Sequence, residues 1–531
     1  MTQQLSAPAA YRINPVWAKL AEHATTAAPR PLRTIHSPID GAELGQVPAC
    51  TPDDVHQAAR RARQASPAWS GTPVQARADV IVRFKDLLIK HRDDLLDLVH
   101  AENGKSRTGA LEEFLDAVLT AGYYAAKAPK LLRRDWRSGA LPVLTSTYVH
   151  YMAKGVVGVI APWNYPLTLA ASDAVPALLA GNAVILKPDS LTPLTGLYVL
   201  KLMRQAGLPH DVMQVVTGPG AELGGPLIES SDFVMFTGST EVGSSVVAQC
   251  GRNLIGSSAE LGGKNALLVL DDAPLRRAVE GAVQASFANS GQLCVSIERI
   301  YVDQVLFDWF AEAFAARTAE LRLGGGDGWE VDLGPLISAQ QLAKVAAHVD
   351  DAVAKGASVL TGGRVRQDLG PLFYEPTVLT GVSQDMVVAR TETFGPVVSL
   401  YPFESVDQAI RLANDTEHGL NAAVWTSSPA RGRDVAERLR AGTVNINEGY
   451  AAAWGSTDAP MGGFGLSGLG RRHGVEGLLK YTEPQTVARQ RALLLGPPDW
   501  TSRENYAAFM TFGSKVLHMT ARELLRKVTG R

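Results

Sequence analysis

Three side chains in this sequence, each beside glycine or proline, have the chemistry to work on a carbonyl carbon. Cys294 ends the stretch Phe287-Ala-Asn-Ser-Gly-Gln-Leu-Cys294, where a polar turn (Asn289 to Gln292) delivers a thiol into a β-branched run. As thiolate it is a nucleophile; as thiol it is also the small buried hydrophobe that free cysteine commonly is. Glu260 precedes Gly262-Gly263 at the seam between two blocks of the chain. In a cleft its pKa would rise and suit a general base; at the surface it would simply be solvated. Asn164 stands between Pro162 and Pro166. Proline stiffens that loop, so the amide is either an oxyanion donor or the cap of its own turn.

Anion-binding signals lie upstream of the thiol. Phe236-Thr-Gly-Ser-Thr-Glu-Val-Gly243 runs from a strand into a helix whose first amides are free to meet an anion. Gly218-Pro-Gly220 with Gly224 also follows a strand, but departs from G-x-G-x-x-G spacing. Lys187-Pro188 ends another strand, at the edge where ligands bind in open α/β sheets.

These residues need a scaffold, and the rest of the chain outlines one. A helix starts at Thr51, with Pro52, Asp53 and Asp54 in its first turn, and runs to Ala65. Apolar spacing predicts helices over Ala76–Glu102 and Leu111–Ala128. Leu141–Val149 reads as strand. Strands at Val156–Ile160, Ala183–Leu186, Val212–Val216 and Phe233–Phe236 alternate with helices at Ala170–Leu179, Leu194–Ala206 and Ala221–Ile228. A second alternation begins near Leu261, with strands at Ala266–Leu270, Arg299–Val302, Val397–Tyr401 and Ala422–Trp425 and helices at Pro274–Ala288, Phe307–Leu321 and Gln340–Lys355. Tyr481–Ala488 reads as a late strand. The pattern predicts doubly wound parallel sheets, an α/β fold. Residues 1–30 read as a loose Ala/Pro-rich arm. Ala507–Val528 reads as an amphipathic helix with basic flanks, suited to packing on protein or, as the second option, to lying on a membrane surface.

Composition narrows the function. The 531 residues carry 51 basic and 53 acidic side chains, a net charge of −2, which offers no field for nucleic acid. Three cysteines without metal-ligand spacing predict no metal site and a reducing, cytoplasmic setting. No secretory signal and no long apolar run is visible.

Taken together, Pro-Trp-Asn164-Tyr-Pro, Lys187-Pro188, the Phe236–Gly243 motif, Glu260-Leu-Gly-Gly-Lys, Gly291-Gln-Leu-Cys294, Glu392-Thr-Phe394-Gly-Pro, Gly442-Thr-Val-Asn-Ile-Asn447 and Gly462-Gly-Phe-Gly-Leu-Ser-Gly468 closely resemble the aldehyde dehydrogenase superfamily, in order over about residues 30–490. The resemblance implies a dinucleotide-binding domain (30–134 and 153–260), a catalytic domain (261–477) and a small β extension for oligomerisation (135–152 and 478–500), between an arm (1–29) and an amphipathic tail (501–531). It implies Cys294 as nucleophile, Glu260 as base and Asn164 as oxyanion donor. Trp163, Lys187, Ser190, Gly220, Gly238, Ser239, Glu392 and Phe394 would bind the cofactor, Lys187 at the adenosine ribose, Gly238 and Ser239 at the pyrophosphate, Glu392 at the nicotinamide ribose and Phe394 against the nicotinamide. Coenzyme A-acylating relatives generally lack the glutamate, so Glu260 implies hydrolysis.

NAD-preferring relatives often carry a glutamate where this chain has Ser190, which implies NADP as preferred cofactor and NAD as the alternative; Asp189 next door speaks the other way. Lys187-Pro-Asp-Ser190, Gly291-Gln-Leu-Cys-Val-Ser-Ile-Glu-Arg299 and Gly370-Pro-Leu-Phe-Tyr-Glu-Pro-Thr-Val-Leu-Thr380 resemble a bacterial succinate-semialdehyde dehydrogenase subgroup. Well-described enzymes of that activity have arginines where this chain has Ser172 and Ala288, so a broad-specificity dehydrogenase of apolar or aromatic aldehydes is the alternative, with Tyr165, Phe287, Tyr450 and Trp454 lining the substrate pocket. The partners implied are a small aldehyde and sister subunits in a homodimer or homotetramer. A non-catalytic binding homologue is the contrasting class.

Overall fold

The computed structural model describes residues 14–140, 144–491 and 496–517. Residues up to Leu132 together with Met152–Glu483 form one compact unit, and Arg133–Tyr151 with the chain from Pro484 onward forms another.

The larger unit holds two doubly wound sheets. The first runs Gly468–Leu469, Gly256–Glu260, Phe233–Thr237, Val156–Ile160, Ala183–Lys187, Met213–Val215, parallel except for its antiparallel first pair. Its central strands are continuous apolar runs because helices cover both faces, and Ala183–Lys187 is buried along its whole length. The second sheet runs Ser358–Thr361, Thr377–Thr380, Val397–Phe403, Ile297–Asp303, Asn265–Val269, Asn421–Trp425, Thr443–Ile446, again parallel after an antiparallel first pair. Register places Thr237 opposite Glu260, so both residues end their strands at the carboxyl edge, where such sheets bind ligands.

The smaller unit holds most of a three-stranded sheet ordered Thr482–Gln490, Thr145–Ala153, Asp135–Arg137. Asp135 pairs antiparallel with Val149, and the rings of Trp136 and Tyr148 meet edge to face at 5.2 Å. Leu141–Val143, the start of the expected strand, lie outside the described residues.

Several expectations need correction. Ala76–Glu102 is two helices, Val74–Lys90 and Arg92–Asn103, broken at His91 (φ −100°, ψ 24°). The arm is not loose where it is described. Asn14 caps a helical turn, Pro15–Ala18, by accepting from the Val16 amide at 2.9 Å, and Trp17 and Leu20 are buried; two large apolar side chains outweigh the Ala/Pro composition. Gly256–Glu260, with no apolar period to mark it, is a strand. The tail forms a helix over Arg503–Leu517 with Phe509 and Phe512 exposed, and the rest of that expected helix lies outside the described residues. Among the described residues no helix is long and apolar enough to cross a membrane.

Candidate active site

Cys294 follows a turn that the backbone adopts under strain. Asn289 (φ 49°), Ser290 (φ 55°) and Gly291 (φ 70°) are successively left-handed, a conformation costing non-glycine residues about 1 kcal/mol or more each. Buried hydrogen bonds hold it. Ser290 Oγ donates to the Gly334 carbonyl at 2.8 Å, and Gln292 Oε1 accepts from the Ile337 amide at 2.9 Å. Gly291 cannot be anything larger: a Cβ there would lie 2.0 Å from the Gly395 carbonyl oxygen. Asn265 Nδ2 then fixes the Cys294 carbonyl at 2.7 Å.

The Asn164 side chain donates from Nδ2 to the Gln292 carbonyl at 3.1 Å, which ties its loop to the cysteine turn. Its own carbonyl accepts from Lys105 Nζ at 2.7 Å and from Asn289 Nδ2 at 3.2 Å. Lys105 is fully buried, paired with Glu113 at 2.7 Å, and Glu113 accepts from the Thr168 amide at 3.0 Å and from the Leu167 amide. A buried charge is stable only when so paired. This pair braces both ends of the Asn164 loop, and no motif marked it beyond the helix break at Gly104.

Cys294, Glu260 and Asn164 share one pocket of about 190 Å³ with Trp163, Gly238, Ser239, Glu392 and Phe394. Cys294 is half-buried in it, open to a ligand. Burial pushes its thiol up to about 12, aided by the charges of Glu260 and Glu392 and opposed by Arg472. Burial likewise raises Glu260 to about 7, with Arg472 and Lys480 pulling the other way; its Oε1 is buried without a hydrogen-bond partner. Burial raises Glu392 to about 7 as well, and its Oε1 accepts from the Gly263 amide at 2.7 Å. A Cβ on Gly262 would sit 2.5 Å from Glu392 Oε2, so glycine is required for that approach. Phe394, left-handed at φ 55°, receives support on both sides. Its amide donates to Glu298 at 2.9 Å and its carbonyl accepts from Gln341 at 2.8 Å. Trp163 meets its ring edge-on at 5.5 Å. Glu298, buried and paired with Lys264, and Gln341 are positioning groups that the sequence reading missed.

The other expected cofactor residues gather further along the same sheet edge. Lys187 is buried, and its Nζ donates to the Pro188 carbonyl at 2.9 Å. A Cβ on Gly220 would be 3.8 Å from Lys187 Cε, so the two are neighbours. Ser190 is half-buried.

Tyr165, Tyr450 and Trp454 line a second pocket of about 190 Å³ with Leu293, Glu112 and Asp116. The rings of Tyr165 and Trp454 lie 5.6 Å apart, and Tyr450 donates its hydroxyl to Glu112 at 3.0 Å. Phe287 does not join them. It is buried, stacked on Phe314 at 6.1 Å, and lines a different pocket with Ala288. Ser172 donates to Asp116 at 3.2 Å. Burial raises Asp116 to about 6 and also raises Glu112.

The two sheets thus bring a cysteine, a raised glutamate and a braced asparagine to one pocket. A profile of the aldehyde dehydrogenase family covers residues 26–487, and the chain belongs to that family. It is 53% identical to a Mycolicibacterium smegmatis protein named "Putative succinate-semialdehyde dehydrogenase (NADP+)", over 88% of this chain and 91% of the relative. An E. coli NADP-dependent enzyme superposes with a TM-score of 0.83 at 35% identity, over 87% of this chain and 95% of its own. Betaine aldehyde dehydrogenase from Staphylococcus aureus, solved with NAD+, superposes with a TM-score of 0.85 at 31% identity, over 92% of this chain and 99% of its own.

Proposed function

We propose that this aldehyde dehydrogenase converts an aldehyde to its carboxylic acid with NADP+ or NAD+, through an acyl group carried on Cys294, and that succinate semialdehyde is the best candidate substrate. The observation that carries the mechanism is the gathering of Cys294, Glu260 and Asn164 in one pocket with Glu392 and Phe394. The substrate candidate and the preference for NADP+ rest on the M. smegmatis relative's name and on Ser190, which lacks the charge that would repel a 2′-phosphate.

Cys294 reacts as its thiolate, the thiol proton passing to bulk water, while Glu260, near neutrality and with one carboxylate oxygen short of a hydrogen bond, stays free as base for the later hydrolysis. The sulfur adds to the carbonyl carbon, and the electron pair passes to oxygen, where the Asn164 amide and the Cys294 N–H stabilise it. A nicotinamide held there would supply the acceptor for the hydride that this carbon loses as the C=O bond re-forms, with the acyl group left on Cys294 as a thioester. Glu260 then takes a proton from water. The water oxygen bonds to the acyl carbon, the C–S bond breaks and the acid leaves.

The residues present fit a dinucleotide. The helix Thr240–Arg252 opens at Ser239 on the pocket wall, its first amides directed away from their own helix. Lys187 and Gly220 adjoin each other for the ribose and phosphates, and Glu392 and Phe394 stand ready for the nicotinamide end.

The second reading, an apolar, aromatic or otherwise non-anionic aldehyde, is favoured by the pocket at Leu293, which has aromatic walls, two carboxylates and no cation among its described lining residues. Assembly into a homodimer or homotetramer is supported by Thr482–Gln490, an edge strand with mostly exposed side chains. Three unpaired cysteines fit a reducing cytoplasm. The test is reduction of NADP+ and NAD+ followed by absorbance with succinate semialdehyde, medium-chain and aromatic aldehydes. The mechanism predicts acid as product and one reduced nucleotide per aldehyde; failure to reduce either nucleotide with every aldehyde would refute it.

A further inference from the structure

The loop after Ala183–Lys187 is approached by an arginine from a part of the chain that no motif marks. Arg33 lies in the strand Leu32–His36, which pairs antiparallel with Glu43–Pro48 in a separate hairpin. A Cβ on Gly45 in that hairpin would lie 3.8 Å from Leu194, at the start of the helix Pro193–Gln205 that follows the loop. The hairpin is thus packed against the start of the helix that follows the loop.

Arg33 is half-buried, and its Nη2 donates to the Ser190 carbonyl. Its Nε is buried with no hydrogen-bond partner. The charged groups around it are Asp189, Glu102 and Lys187. Glu102 is occupied, accepting from the Leu194 amide at 2.6 Å, the Thr195 amide at 2.9 Å and the Thr195 hydroxyl at 2.6 Å. Asp189 accepts from the Leu191 amide at 2.8 Å. Lys187 donates to the Pro188 carbonyl. Among the described residues, no carboxylate forms an ion pair with Arg33.

A half-buried guanidinium with an orphaned N–H and no acid partner is expensive to hold without an anion to receive it. Its planar fork matches a phosphate better than any other side chain. We propose that Arg33 binds the 2′-phosphate of NADP+, beside the Ser190 hydroxyl and Lys187, and offsets the repulsion from Asp189. The inference rests on the reading that Lys187–Ser190 holds the adenosine ribose, and it makes the N-terminal hairpin a determinant of cofactor choice.

Calorimetric titration of the full-length protein with NADP+, NAD+ and 2′,5′-ADP tests it. Arg33→Gln is expected to weaken NADP+ and 2′,5′-ADP about ten- to a hundredfold, the scale of a hydrogen bond to a charged group, with a much smaller change for NAD+. Arg33→Lys keeps the charge but loses the fork and should fall between, which also covers the case that Arg33→Gln does not fold. Equal weakening of NADP+ and NAD+ in both variants, or no change in either, overturns the proposal. So does a wild-type protein that binds NADP+ no more tightly than NAD+. Ser190→Glu separates the two levels of the argument. If it abolishes NADP+ binding while the Arg33 variants stay silent, the ribose reading stands and Arg33 is excluded. If it leaves NADP+ binding intact, the ribose reading itself is wrong.

Discussion

The pocket containing Cys294 and the pocket beginning at its neighbour Leu293 are built by different means. The first is assembled from strand ends and turns of both sheets, and buried polar pairs hold it: Lys105 with Glu113 beneath Asn164, Lys264 with Glu298 beneath Phe394. The second is one face of the helix Arg107–Leu131, where Glu112, Leu115, Asp116 and Leu119 follow helical spacing, closed by Tyr165, Tyr450 and Trp454. The first is rigid because each of its loops would otherwise carry unpaired backbone groups. The second is a surface of side chains whose exchange disturbs no strand. The proposed mechanism would accordingly put the chemistry in the first pocket and selection among aldehydes in the second. Variants in the first should slow all aldehydes alike, while variants in the second should re-rank them.

The strongest attack on that division is Cys294→Ala. It removes the group on which the proposed acyl intermediate would form, and turnover should fall roughly a millionfold, the scale seen when a covalent nucleophile is deleted. Calorimetry should still detect nucleotide binding. Residual aldehyde-dependent nucleotide reduction near the wild-type rate would mean that the chemistry lies elsewhere.

Glu260→Gln comes next, with an expected loss of about a hundred- to ten-thousandfold in steady turnover. Its pH dependence carries the sharper information. The base works when deprotonated, and burial places its titration at about 7, so acyl hydrolysis in the wild type should rise with pH through about 7 and level off above. In the variant that limb should vanish, and rapid mixing should show a burst of reduced nucleotide followed by a stalled acyl-enzyme. A limb that persists unchanged in Glu260→Gln would assign it to another group.

Asn164→Ala should lower kcat about a hundred- to a thousandfold through loss of an oxyanion donor, equally for aliphatic and aromatic aldehydes. Since Asn164 Nδ2 also ties its loop to Gln292, cofactor affinity is the control. An affinity that collapses along with kcat would point to a misplaced loop rather than to a missing donor.

How much of this was visible in the sequence follows the same division. Asn164, Glu260, Cys294 and Glu392 are legible because glycine or proline stands near each of them, and Gly291 shows why: a Cβ there would meet the Gly395 backbone. The central strands of both sheets are legible from apolar runs, whereas Gly256–Glu260, Ser358–Thr361, Thr377–Thr380, Thr443–Ile446 and Gly468–Leu469 are too short or too rich in small polar residues to show a period. Phe287, expected with the other aromatics in the substrate pocket, instead packs on Phe314, and the left-handed turn at Asn289 to Gly291 lies between it and Cys294. Lys105, Glu112, Asp116 and Arg33 were missed for a common reason: a charged residue on a helix or strand face reads as solvated until the packing around it is known.

The smallest expected effect bears most directly on selection. Glu112 and Asp116 face a pocket with no cation among its described lining residues, so the distal carboxylate of succinate semialdehyde would meet repulsion there that an uncharged aldehyde escapes. At an effective dielectric of about 20 and with ordinary salt, one such charge several ångströms away is worth on the order of 1 kcal/mol, a factor of about five in kcat/KM. Asp116→Asn should therefore raise kcat/KM for succinate semialdehyde about fivefold while leaving benzaldehyde nearly unchanged. Burial raises Asp116 to about 6, so the wild-type penalty should appear as pH rises through about 6, and the advantage of the variant should shrink below it. Glu112→Gln should act in the same direction but more weakly, because the Tyr450 hydroxyl already donates to that carboxylate. If both variants instead impair succinate semialdehyde and benzaldehyde to the same degree, the second pocket shares in the chemistry, and the division between reacting and selecting regions fails.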